Sequence, residues 1–82
     1  MVKEDILKQV NDIFIDILEN ENIVLTYETT AENVNGWNSL THLKLIVAAE
    51  RHFKIRFSSR EFHSWKNMGE MIDSISSKLK LS

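Results

Sequence analysis

A serine hydroxyl, that of Ser39, lies where the sequence predicts a helix to begin. Gly36, three residues earlier, permits a sharp bend of the backbone. Asn38 is a good helix cap, because its side-chain oxygen can accept a hydrogen bond from a free N–H group of the first turn. A phosphate on Ser39 would meet unpaired N–H groups and the positive end of the helix dipole. The stretch is therefore suited to a group that is joined through a phosphodiester.

A serine hydrolase is not predicted, although Ser39 and His42 are three residues apart on the same helix. A helical projection directs His42 toward the inside of the fold and away from Ser39. A hydrolase also needs an orienting acid, an oxyanion hole and a cleft, and the residue pattern supplies none of them. We therefore expect no enzyme, and we expect His42 to be a buried, hydrogen-bonded side chain.

Composition excludes several other classes of protein. The chain has no cysteine, so neither disulfides nor thiolate metal sites are expected. Its three histidines, at positions 42, 52 and 63, do not pair at metal-ligand spacing. Residues 1–36 carry a net charge of −6 and residues 37–82 one of +4, a split that can orient a partner but is too weak to indicate nucleic acid.

Length and hydropathy predict one domain over residues 1–82. The longest apolar run, residues 45–49, is far too short to span a membrane. The charged start of the chain lacks the apolar run of a signal peptide. We therefore expect a cytoplasmic protein without membrane insertion.

Four helices are predicted to position Ser39. The first covers residues 3–18, where apolar residues recur at steps of three and four. A long polar connection follows over residues 19–38, and Trp37 within it is expected to pin the loop across the helix ends or to contact the attached group. After the second helix, a capping box at Ser58 and Glu61 starts a short third helix. A weaker signal at Asn67 opens the last helix.

The second helix, from Ser39 to about Phe53, has two distinct faces when it is projected at about 100° per residue. The inward face holds His42, Leu45, Ile46, Ala49 and Phe53. The outward face holds Leu40, Lys44, Val47, Arg51 and Lys54. Two aliphatic side chains ringed by bases, close to Ser39, form either a docking patch for a partner or an ordinary solvated surface.

The segment from Asn38 through Phe53 resembles the attachment site of acyl carrier proteins and their peptidyl-carrier relatives. In that family an Asp-Ser-Leu-like triplet opens a helix, which continues with aliphatic positions, Glu and Phe. Here the triplet is Asn38-Ser39-Leu40, and the later positions are Glu50 and Phe53. The similarity continues to the last helix. The chain departs from the family at Asn38, where an aspartate is usual.

The resemblance implies an all-α four-helix bundle with a short third helix and a long first loop. It implies a 4′-phosphopantetheine arm attached covalently to Ser39, which carries acyl or aminoacyl groups as thioesters. The expected partners are a phosphopantetheinyl transferase and the enzymes that load and transfer the cargo in a dedicated fatty-acid-, polyketide- or peptide-like pathway. These enzymes are expected to meet a monomer at Leu40, Lys44, Val47 and Arg51.

An alternative function stays open at this point. The same bundle, never modified, could bind partner proteins through the outer face of the second helix. The neutral side chain of Asn38, in place of the usual aspartate, is the feature that favours this alternative.

Overall fold

The computed structural model describes residues 2–81 and contains four α-helices in the predicted order. They are α1 (Lys3–Leu18), α2 (Ser39–Phe53), α3 (Ser59–Ser64) and α4 (Met68–Leu81). A single 3₁₀ turn, Ala31–Asn33, lies in the long connection between α1 and α2. No strand occurs in the described part of the chain, and none of its helices is long and apolar enough to cross a membrane. The predicted all-α bundle is confirmed.

The core forms where α1 packs against α2 and α4. Five apolar residues whose spacing places each on the inward face of its helix are buried: Phe14, Leu45, Ile46, Phe53 and Ile72. Apolar side chains from the loop, Ile23 and Leu25, are buried with them. The periodic apolar positions therefore hold α1, α2 and α4 together, because their burial removes a continuous apolar surface from water.

The backbone of the long connection is bonded to α1 by the side chain of Asn11. Its amide nitrogen donates to the carbonyl oxygen of Ile23 at 3.1 Å, and its amide oxygen accepts from the N–H of Leu25 at 2.7 Å. Backbone N–H and carbonyl groups of this loop segment thus find their hydrogen-bond partners in a helix side chain. The position of the loop depends on this contact as well as on its own buried residues.

The same connection caps the start of α4. The carbonyl oxygen of Tyr27 accepts from the N–H of Gly69 at 2.7 Å, and that of Thr29 accepts from the N–H of Met68 at 2.8 Å. A side chain at position 69 would place its Cβ 2.9 Å from the Tyr27 oxygen. Glycine is required there because the two backbones approach closely.

Helix α3 is fastened at its start by Glu61. As predicted, Ser58 and Glu61 form a capping box, with hydrogen bonds of 3.2 and 3.0 Å. The Glu61 carboxylate also forms an ion pair with Lys78 of α4 at 2.9 Å and accepts from the Ser74 hydroxyl at 3.3 Å. The Ser58 N–H, followed by Lys78, lowers the pKa of Glu61 from 4.5 to about 2, because these donors stabilise the charged form.

Candidate functional site

Asn38 caps α2 as the sequence predicts. Its side-chain oxygen accepts hydrogen bonds from the N–H groups of Leu40 at 3.0 Å and Thr41 at 3.1 Å. The Thr41 hydroxyl in turn accepts from the N–H of Asn38 at 2.8 Å and contacts the carbonyl oxygen of Gly36 at 2.6 Å, to which it donates. With Gly36 in a left-handed conformation (φ +87°), the bend and the first turn of α2 form one hydrogen-bonded unit.

This cap corrects one detail of the sequence-based expectation. Two first-turn N–H groups that were expected to be free for a phosphate are bonded to Asn38. In the described part of the chain, the N–H of Ser39 itself has no acceptor. A phosphate at Ser39 would therefore meet this one N–H group and the helix dipole, rather than a row of free donors.

The hydroxyl of Ser39 is exposed. Within residues 2–81 it makes no hydrogen bond, so it contributes nothing to the cap that holds it in place. Its backbone is fixed by its two neighbours, Asn38 and Thr41. Ser39 thus holds an unbonded hydroxyl at a rigid position, accessible to an enzyme that approaches from solvent.

Ser39 lies at the edge of a groove of about 470 Å³ between the long loop, α2, α3 and the start of α4. The walls are largely apolar and aromatic; the residues that line them include Trp37, Leu43, Phe62, Trp65 and Met71. His63, Lys66 and Asn67 also line the groove, and the first two are exposed. The polar hydroxyl of Ser39 therefore lies beside a largely apolar groove that has basic and amide groups along it.

His42 joins the walls of this groove. Its Nδ1 accepts a hydrogen bond from the indole Nε1–H of Trp37 at 3.1 Å, which leaves the hydrogen of the neutral ring on Nε2. Nε2 then donates to the carbonyl oxygen of Phe62 in α3 at 3.2 Å. Both ring nitrogens are occupied, so His42 does not act as a base for Ser39. The ring is half-buried rather than fully buried.

Trp37 pins the loop to α1, which is the first of the two expectations for this residue. Its ring meets that of Phe14 edge to face, with the centroids 5.0 Å apart. Trp37 also lines the groove beside Ser39, and the second expectation, contact with an attached group, stays a prediction. One side chain thus links the core to the wall of the site.

The outer face of α2 carries the expected residues. Leu40 and Val47 are 65% and 45% exposed, and Lys44 and Arg51 are exposed beside them. Leu43, which the sequence interpretation left unassigned, is 51% exposed on the same face. These side chains, with Ala48, line a shallow depression of about 380 Å³. The helical projection is the signal that would have found Leu43, since at about 100° per residue it lies about 60° from Leu40 and about 40° from Val47.

Two other parts of the site were not anticipated. Thr41 closes the cap from the opposite side, and its signal is the Asn-x-x-Thr spacing, a variant of the capping box. The residues contributed by α3 and the turn after it, His63 and Lys66, carry no local signal. They reach the groove through tertiary packing alone.

Fold and site together define a small helical bundle with an exposed serine, Ser39, at the start of its second helix. No protein-family model matches the chain. The structure is similar to the solution NMR structure of a holo acyl carrier protein from Geobacter metallireducens, with a TM-score of 0.86 and 39% sequence identity. That similarity covers 92% of this chain and 86% of the other. The chain therefore belongs to the acyl carrier protein family, and it is a carrier protein rather than an enzyme.

Proposed function

We propose that this chain is a monomeric, cytoplasmic carrier that holds 4′-phosphopantetheine on the Oγ atom of Ser39. It serves a dedicated fatty-acid-, polyketide- or peptide-like biosynthetic pathway. When it is bound, the arm supplies a thiol that holds an acyl or aminoacyl group as a thioester, a form activated for acyl transfer. The chain itself positions the arm and is recognised by the enzymes it visits.

The observation that carries this proposal is the state of the Ser39 hydroxyl. It is exposed, it is unbonded within residues 2–81, and its backbone is held by the Asn38 cap. Modification of such a hydroxyl breaks no contact of the fold. A structural serine in the same position would be expected to bond the cap or a neighbouring element.

The residues around Ser39 fit a phosphodiester followed by a flexible arm. The neutral side chain of Asn38 adds no charge that would repel the phosphate, and the helix dipole favours a negative charge there. Lys66 lines the groove that begins at Ser39 and offers a cation. Trp37 and Trp65 offer apolar walls along which an arm can lie away from water.

We assign recognition by the phosphopantetheinyl transferase and by the acyl- or aminoacyl-transferring enzymes to the outer face of α2. Leu40, Lys44, Val47 and Arg51 form this face, and all four are exposed. Their position on the helix that Ser39 opens supports the assignment. A partner seated there would have the arm within reach, and a flexible tether raises the effective concentration of its cargo.

Intact-mass spectrometry tests the proposal. The protein is co-expressed with a broad-specificity phosphopantetheinyl transferase, and the gain of one phosphopantetheinyl group per chain is expected. Asn38→Asp, which keeps the cap and restores the charge usual in the family, is the matched variant. It is also expected to gain one phosphopantetheinyl group per chain. A wild-type protein that stays unmodified while a control carrier loads fully would refute the proposal.

A second candidate is an unmodified protein-binding module that docks through the same face of α2. The large exposed area of Leu40 favours it, as does Asn38 in place of aspartate. The loading experiment separates the two, because the module requires no modification of Ser39.

A further inference from the structure

We propose that the outer face of α2 binds partner enzymes whose contact surface presents an apolar side chain framed by carboxylates. This inference rests on the proposed carrier function and specifies the chemistry of its partners. It follows from three properties of the face: its apolar stripe, its charge, and its continuity with the groove at Ser39.

The apolar stripe is concentrated on this one face. Six large hydrophobic side chains are prominently exposed among the described residues, and three of them are Leu40, Leu43 and Val47. Their spacing of three and four residues places them side by side along α2. They border the depression of about 380 Å³, which is large enough to receive a partner's side chain. Clustered exposed aliphatics of this kind mark interaction sites more often than scattered ones do.

The charge around the stripe is predominantly positive. Lys44 and Arg51 line the depression itself, and Lys54 and Arg56 line the adjoining one, which Val47 and Arg51 also border. None of these four bases forms an ion pair within residues 2–81. Their charges are therefore available to form ion pairs with a partner's carboxylates.

One acid, Glu50, lies beside these bases, but its carboxylate is engaged. Its Oε2 accepts a hydrogen bond from the N–H of Phe57 at 2.8 Å. No other acid lines either depression in the described part of the chain. The face is thus an apolar strip inside a basic frame, and it complements an apolar side chain inside an acidic frame.

Leu43 connects this face to the attachment site. It lines both the depression on the outer face and the groove that begins at Ser39. A partner that covers the stripe is therefore adjacent to the arm. This location favours a partner enzyme that acts on the cargo over a partner that binds the carrier without reaching the cargo.

Two synthetic helical peptides test the sign of the charge directly. Both carry the same ridge of leucines; one has glutamates along its flanks and the other has lysines. Each is titrated into ¹⁵N-labelled protein, and amide chemical shifts are followed. We expect the glutamate peptide to bind at least about tenfold more tightly and to shift amides between residues 40 and 51. The advantage should shrink from about 0.01 M to about 1 M salt, as the Debye length falls from about 30 to about 3 Å.

A double charge reversal, Lys44→Glu with Arg51→Glu, is expected to invert this preference. The matched control, Lys8→Glu with Lys80→Glu, changes the net charge equally at exposed positions on α1 and α4, and it should keep the wild-type preference. Circular dichroism confirms that both variants fold.

Several outcomes would overturn the inference: equal affinity for the two peptides, binding of neither, shifts centred outside α2, or an inversion in the control variant. A dimer that forms with rising concentration and is abolished by the reversal would assign the face to a second copy of the chain instead. Loading of Ser39 is measured separately by mass, so failure of the carrier proposal is distinguishable from failure of this one.

Discussion

The indole N–H of Trp37 donates to Nδ1 of His42 across 3.1 Å, and the opposite nitrogen of that ring donates to the Phe62 carbonyl. One imidazole therefore connects the long loop, α2 and α3. Together with the start of α4, these three elements enclose the groove beside Ser39. The shape of the groove depends on a chain of two hydrogen bonds rather than on core packing alone.

A double-mutant cycle measures the first of these bonds. Trp37→Phe keeps an aromatic ring against Phe14 but removes the donor, and His42→Leu removes the acceptor. We expect a coupling free energy of about 0.5–1.5 kcal/mol, the usual net contribution of a hydrogen bond. Urea unfolding of the four proteins gives this quantity. A control cycle of Trp37→Phe with Lys80→Ala, an exposed position at the end of α4, should be additive within about 0.3–0.5 kcal/mol.

Ser39 and Asn38 should separate function from stability. Ser39→Ala is expected to abolish phosphopantetheine loading and to leave the helical circular dichroism signal and the melting temperature nearly unchanged, because the hydroxyl bonds nothing in the described chain. Asn38→Ala, which removes the cap, should cost about 0.5–2 kcal/mol of stability. Loading that persists in Ser39→Ala would show that another residue is modified.

Phe53 is the last residue of α2, and its side chain packs in the core, where it is only 7% exposed. Phe53→Ala should cost about 3–5 kcal/mol, a large part of the 5–15 kcal/mol that is typical of a whole domain. Thermal denaturation measures the loss. The neighbouring exposed Arg51→Ala is the control and should change stability by no more than about 0.5 kcal/mol. A shift of a degree or two for Phe53→Ala would contradict its burial.

The Glu61 carboxylate makes stability depend on acid pH. Its pKa is about 2 in the fold and 4.5 ordinarily, so its stabilising contribution is complete above about pH 4.5. Below that value the unfolded chain takes up a proton before the folded chain does, and the contribution is lost as the pH falls toward about 2. The difference in unfolding free energy between the wild type and Glu61→Gln should therefore shrink from pH 6 to pH 3.

Urea unfolding at several pH values checks this dependence. Lys78→Met keeps the stem of the side chain but removes its charge, and it should weaken the pH dependence without abolishing it, because the Ser58 N–H makes the larger contribution to the lowered pKa of Glu61. A difference between wild type and Glu61→Gln that is the same at pH 6 and pH 3 would show that the Glu61 carboxylate is not stabilised by the fold.

The sequence by itself determined the helices and the place of Ser39. The first helix and the second begin and end as predicted, because their signals act within about four residues: the period of the apolar positions, the Asn38 cap and the bend at Gly36. The capping box at Ser58 and Glu61 is of the same kind. Such signals depend on neighbours along the chain, so they can be read without knowledge of the tertiary structure.

The tertiary structure alone decided how these elements meet. His42 bonds Phe62, 20 positions along the chain; Glu61 bonds Lys78, 17 positions away; and Gly69 admits the Tyr27 carbonyl oxygen to the start of α4. No local sequence pattern predicts these pairs, since each depends on the packing of whole helices and on the course of the long loop. The sequence predicts Ser39 as the attachment point, but only the packed bundle brings Lys66 and Trp65 to the groove beside it.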